Sequence, residues 1–181
     1  MDMLFGLTLV CAIAFVSWVG YLAYQEGLKI ETSKRHGEEW LQWLGEVSDK
    51  RFQPDFEPNA CAGAGAATAA SPVAPAPAPT TVPNTWGACF KALTQSGGPW
   101  FGQVNPFSDT PVQLVPKCDK SDRSVAGNFY FEKLMPTPPG SPLPSVSSLL
   151  AAADPLGQKI QLRLTLCDKG GDPIRIGEVE F

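Results

Sequence analysis

An α+β chain, in which a long N-terminal helix carries a small head with an antiparallel β-sheet and a short helix, is predicted by three features of the sequence. Residues 3–24 are uncharged and mostly apolar, residues 25–51 continue with helical spacing, and the C-terminal part alternates apolar and polar residues in short runs bounded by turn residues. The 181 residues, with 18 Pro and 17 Gly, are enough for one modest folded unit plus non-globular segments.

As a helix, the apolar stretch of about 22 residues would be ~33 Å long, the thickness of a bilayer core. A secretory signal peptide has a basic start and small residues at its cleavage site. Here only Met-Asp-Met precedes the stretch and Tyr-Leu-Ala-Tyr closes it, so a retained anchor is expected rather than a removed signal. Trp18, Tyr21 and Tyr24 gather where aromatic rings suit a headgroup boundary. Cys11, within the stretch, is expected to act as a small packing residue.

The helical signal continues past the apolar stretch. Glu31 with Arg35 and Glu46 with Lys50 are acid-before-base pairs at i,i+4, and Trp40, Trp43, Leu44 and Val47 share one face. This predicts a helix over residues 3–50, apolar all round in its first half and amphipathic in its second. The four face residues are expected to seat the head or a neighbouring helix. Gly37 marks a point where the helix could break, and Pro54 and Pro58 end it.

Three regions follow: residues 1–51 as the helix, 52–83 as a linker and 84–181 as the head. The linker segment NACAGAGAATAASPVAPAPAPTTVP offers almost nothing for a core, and its Pro-Ala alternation predicts a semi-rigid spacer. In the head, Trp86, Cys89, Phe90 and Leu93 predict a short helix ended by Gly97-Gly98-Pro99. VQLV (112–115), SVAGNFYFEKL (124–134), KIQLRLTLC (159–167) and PIRIGEVEF (173–181) are the strand candidates. SVSSLLAAADPLG is expected to hold one helical turn. Cys-Asp-Lys occurs twice before a polar turn, suggesting two similar hairpins that present Cys118 and Cys167 at equivalent strand ends.

Cys61, Cys89, Cys118 and Cys167 lie outside the apolar stretch and read as a disulfide framework, for which three connectivities exist. The expected pairing is Cys118 with Cys167, stapling the sheet, and Cys61 with Cys89, tying the start of the linker to the short helix. No C-x-x-C pair points to zinc, and no metal or cofactor is expected. The even cysteine count favours an exported head, against Lys29, Lys34 and Arg35, which by the positive-inside rule would keep it in the cytoplasm. No enzymatic activity is expected. The lone His36 stands outside any H-E-x-x-H pattern and is read as a solvated helix residue, while Glu38 and Glu39 are neighbours rather than facing carboxylates. A net charge of -4 with scattered Lys and Arg supplies no basic patch, so nucleic acid is not an expected partner.

With its long helix, apolar then amphipathic, and its cysteine-bearing C-terminal head, the chain resembles a type IV pilin or pseudopilin. Gly6-Leu7-Thr8-Leu9-Val10 is similar to the family's processing segment. By that resemblance Gly6 precedes the cut and Leu7 is the mature N-terminus. Leu9, Val10, Ile13, Phe15, Val16, Trp18, Val19 and Leu22 are then the packing residues of an assembling helix. The resemblance implies a structural subunit, anchored in the inner membrane with an exported head or incorporated in an extracellular filament. Its partners would be membrane lipid, further copies of itself in a helical homo-oligomer, or other pilin-like subunits. Three features depart from the family. Cys11 occupies the fifth mature position, usually a glutamate that balances a neighbour's amine; Met1 to Gly6 carries only Asp2 as a charge; and the Ala/Pro segment separates regions that normally pack together. A non-polymerising single-pass assembly factor or binding module accommodates these departures and is the alternative.

Overall fold

The computed structural model describes residues 2–63, 84–135 and 147–181. Helix α1 (Asp2–Val47) runs unbroken for 46 residues, ~69 Å, and is followed by a 3-10 turn at Lys50–Phe52. It does not break at Gly37, because this glycine is where the helix meets the sheet. A Cβ there would lie 3.0 Å from a Phe129 ring carbon and 3.3 Å from two Ile176 carbons. A side chain larger than hydrogen would push the two layers apart.

Helix α2 (Trp86–Thr94) begins as its spacing predicts, with the Thr85 side chain accepting a hydrogen bond from the Ala88 amide. Four strands, β1 (Phe129–Leu134), β2 (Ser147–Leu149), β3 (Gln161–Cys167) and β4 (Pro173–Glu180), form one antiparallel sheet in the order β2-β1-β3-β4. The architecture is therefore α+β: a long apolar N-terminal helix, then a head with a four-stranded antiparallel sheet and a short helix.

Alternation works as expected in β3, where Leu162, Leu164 and Leu166 are fully buried. Thr165 is the exception. It is buried rather than wet, next to a register shift between Leu164 and Thr165. Opposite Leu166 and Leu164, Phe129 and Phe131 of β1 extend the apolar face on which both helices lie.

Other expectations fail for local reasons. VQLV is not a sheet strand and makes one isolated bridge, Leu114 to Phe129. The pairing stops at Phe129, whose backbone bonds the Gln113 carbonyl and the Val115 amide, while the Gln113 amide donates to the Asn128 side chain at 3.1 Å, itself held by buried Asn105, which also bonds the Ala126 carbonyl. The two similar hairpins reduce to one, β3 to β4, with Cys167 at a strand end and Cys118 in a loop. SVSSLLAAADPLG supplies edge strand β2 instead of a helical turn, since its backbone pairs with β1 and Leu150 enters the core.

Both disulfides, Cys61–Cys89 and Cys118–Cys167, are formed, with Cα separations of 4.5 and 5.2 Å. Removing the second by joint Cys118→Ala and Cys167→Ala substitution is expected to cost ~4 kcal/mol in the loop-entropy treatment. Its half-cystines are 49 residues apart. A shift of the urea midpoint of the detergent-solubilised chain would measure that loss.

The linker divides differently from the sequence reading. Residues 52–63 pack on the head, with Phe56, Cys61 and Ala62 buried, while 64–83 lie outside the described residues. Asn84 donates to the carbonyls of Asn59 and Ala62, at 2.9 Å each, so the chain returns beside the point where it left. Because α1 docks directly on the sheet, the Ala/Pro segment is not a spacer between helix and head.

Candidate functional site

The candidate site is α1 itself, divided by its surroundings. Every residue from 6 to 25 is exposed, and Gly6, Gly20 and Gly27 have nothing within 4 Å of an added Cβ. Leu7 and the predicted packing residues Leu9, Val10, Ile13, Phe15, Val16, Trp18, Val19 and Leu22 are 44–70% exposed. Together with Tyr21, Tyr24 and the free Cys11 they leave large apolar side chains on every side of the helix. The helix is long and apolar enough to cross a membrane, which makes it a candidate anchor. A contiguous apolar surface of this extent requires cover.

The remainder of α1 belongs to the head. Its first ties are an ion pair from Lys169, in the β3–β4 turn, to Glu26, and Lys29 over the Phe107 ring at 5.8 Å. Further along, Trp40 and Leu44 are fully buried, and Trp43 and Val47 pack at the margin of the core. The Trp40 ring stacks on Trp100 at 4.5 Å and meets Phe129 at 4.9 Å and Phe90 at 5.6 Å. Its indole N–H donates to Gln103, which in turn donates to Glu39 at 3.0 Å. The helix-head residues predicted from the sequence therefore come together on one surface, and that surface seats the helix on its own head.

Two polar groups at this seam were not anticipated. Arg51, just past the helix end, is completely buried and donates to the carbonyls of Leu156 and Gln158 at 2.8 and 2.7 Å. Its guanidinium lies over the rings of Phe52 and Phe181, at 4.6 and 4.4 Å. Burial lowers its pKa to about 10, which still leaves it cationic at neutral pH. Nothing in KRF distinguishes such a residue from a solvated one.

His36 is the second correction. It is half-buried rather than solvated, and its Nδ1 has no partner among the described residues. Burial lowers its pKa, with Glu39 opposing and Arg35 adding to the shift. The unfolded chain therefore takes up the proton first, so stability should fall as pH drops from 6.5 towards the folded value. Urea midpoints between pH 7.5 and 5.5 test this, and His36→Gln should flatten that decline.

Among the described residues, no three His, Cys, Asp or Glu side chains gather as a metal site. A groove of about 690 Å³, lined by Trp86, Phe90, Leu114 and Leu150 among others, is shallow and has no titratable side chain among its lining residues. Comparisons with known protein families, with curated proteins and with solved structures return no match.

Proposed function

We propose that the protein is a non-enzymatic structural subunit of a pilin-like filament or secretion apparatus, held in the inner membrane by the apolar half of α1 and carrying an exported head. The observation that supports this reading is the division of one continuous helix into an uncovered apolar half and a half docked on an antiparallel sheet. A helix apolar on every face can be covered by lipid or by other such helices. A protein that exchanges the first cover for the second moves from bilayer to filament without refolding its head. In the filament the apolar halves form a core held by dispersion and burial, with the heads outside.

Direct docking of α1 on the head agrees with the pilin plan and removes the spacer from the list of departures. The two disulfides favour an oxidising compartment for the head. Cys11 in place of a glutamate leaves a buried neighbouring amine without a carboxylate, a costly arrangement that favours the second reading, a non-polymerising anchored assembly factor or binding module. Intact mass and the N-terminal peptide of the native protein under non-reducing conditions separate the two. A chain that starts at Leu7 with a methylated amine supports the filament subunit. One that starts at Met1 eliminates the cleavage and leaves the permanent anchor.

A further inference from the structure

The geometry points to a head seated directly in the lipid headgroup layer, with the β3–β4 turn and the neighbouring loop at residues 117–122 as the membrane-contacting surface. This inference rests on the membrane reading of residues 3–24. The apolar stretch closes at Tyr24, and the head begins two residues later, where Lys169 pairs with Glu26. Two residues of helix rise ~3 Å, less than the ~5–7 Å of headgroup region on one side of a bilayer. No room remains for a stalk between bilayer and head.

Several contacts gather the head's turns at that level. A Cβ on Gly171, in the β3–β4 turn, would lie 2.5 Å from the Asp119 carbonyl oxygen, so the two loops touch. Lys120 pairs with Asp172 at 2.5 Å, and Cys118–Cys167 locks the loops together beneath. Lys117, Lys120 and Lys169 are all well exposed. Their ammonium groups suit lipid phosphates, while the interleaved Asp119, Asp168 and Asp172 disfavour tight electrostatic adhesion. The surface fits a bilayer face held close by the helix, and it would release that face when the helix leaves. At the opposite end of the head, Asp49 and Lys159 pair beside exposed Lys50, just past the end of α1, which rises about 31 Å from Glu26 to Val47.

Nitroxide labels in proteoliposomes test the seating. In a Cys11→Ser background with the disulfides intact, single Lys120→Cys, Lys117→Cys and Lys50→Cys chains are labelled and reconstituted in phosphatidylethanolamine/phosphatidylglycerol vesicles. The labels at 117 and 120 should show several-fold lower accessibility to a water-soluble nickel chelate than the label at 50. Alkaline extraction of the same vesicles is run in parallel. Retained protein with equal accessibility at all three positions overturns the seating and leaves the anchor standing. Protein stripped by alkali overturns the anchor and the seating with it.

Discussion

Trp40→Ala is expected to lower the stability of the head by ~4 kcal/mol, the middle of the range for a buried aromatic ring. The side chain is fully buried, stacks on Trp100, contacts Phe90 and Phe129, and has its N–H bonded to Gln103. Truncation removes the burial, leaves a cavity among aromatic rings that cannot all collapse into it, and takes the donor from the Gln103 side-chain oxygen. A urea titration followed by tryptophan fluorescence, with the disulfides intact, reads the loss. The seam should open first, so amides of β4 beside α1 should exchange faster than those of β1. An unchanged midpoint would remove Trp40 as the seat of the head.

Arg51→Ala is the second large effect, at ~3 kcal/mol. Its sign is not obvious, because burying a cation without a carboxylate is itself costly. Burial brings the folded pKa down to about 10, below that of the unfolded chain, so this cost is present at every pH below about 10 and is relieved only above it. Against that relief stand the two carbonyls left without their donor and the void between Phe52 and Phe181. These terms outweigh the gain, since stranding the buried Leu156 carbonyl alone costs ~1–3 kcal/mol, to which the half-buried bond to Gln158 and the void add. Arg51→Met, which keeps the stem and fills the space, should cost about half as much. Urea midpoints of the two variants at pH 7 give the comparison, and equal stability of both with the parent chain would exclude a clamping role.

Local signals carried far in this chain. The face Trp40, Trp43, Leu44 and Val47, the start of α2 at Trp86, the alternation of β3 and the apolar length of α1 all express short-range periodicity and read correctly. Partners supplied from a distance did not. VQLV has strand composition, yet its pairing stops at Phe129, and its Gln113 amide goes to the side chain of Asn128, which Asn105 holds in place. Residues 147–149 read as part of a helical turn until the open edge of β1 is offered to them. Arg51 and His36 carry no local mark of burial, because what buries them arrives from the C-terminal half and the sheet. Composition suggested a spacer at 52–83, and only the three-dimensional return of the chain at Asn84 shows that helix and head meet directly.

That return has a covalent consequence. Cys61 and Cys89 bracket the Ala/Pro segment, so a peptide bond cut anywhere between residues 64 and 83 leaves the two fragments joined by sulfur. Nicked protein would run as a single species on a non-reducing gel and as two on a reducing one, with the anchor still holding its head. A break in the segment therefore does not part helix α1 from the sheet, a tolerance that belongs to the crosslink rather than to the residues it encloses.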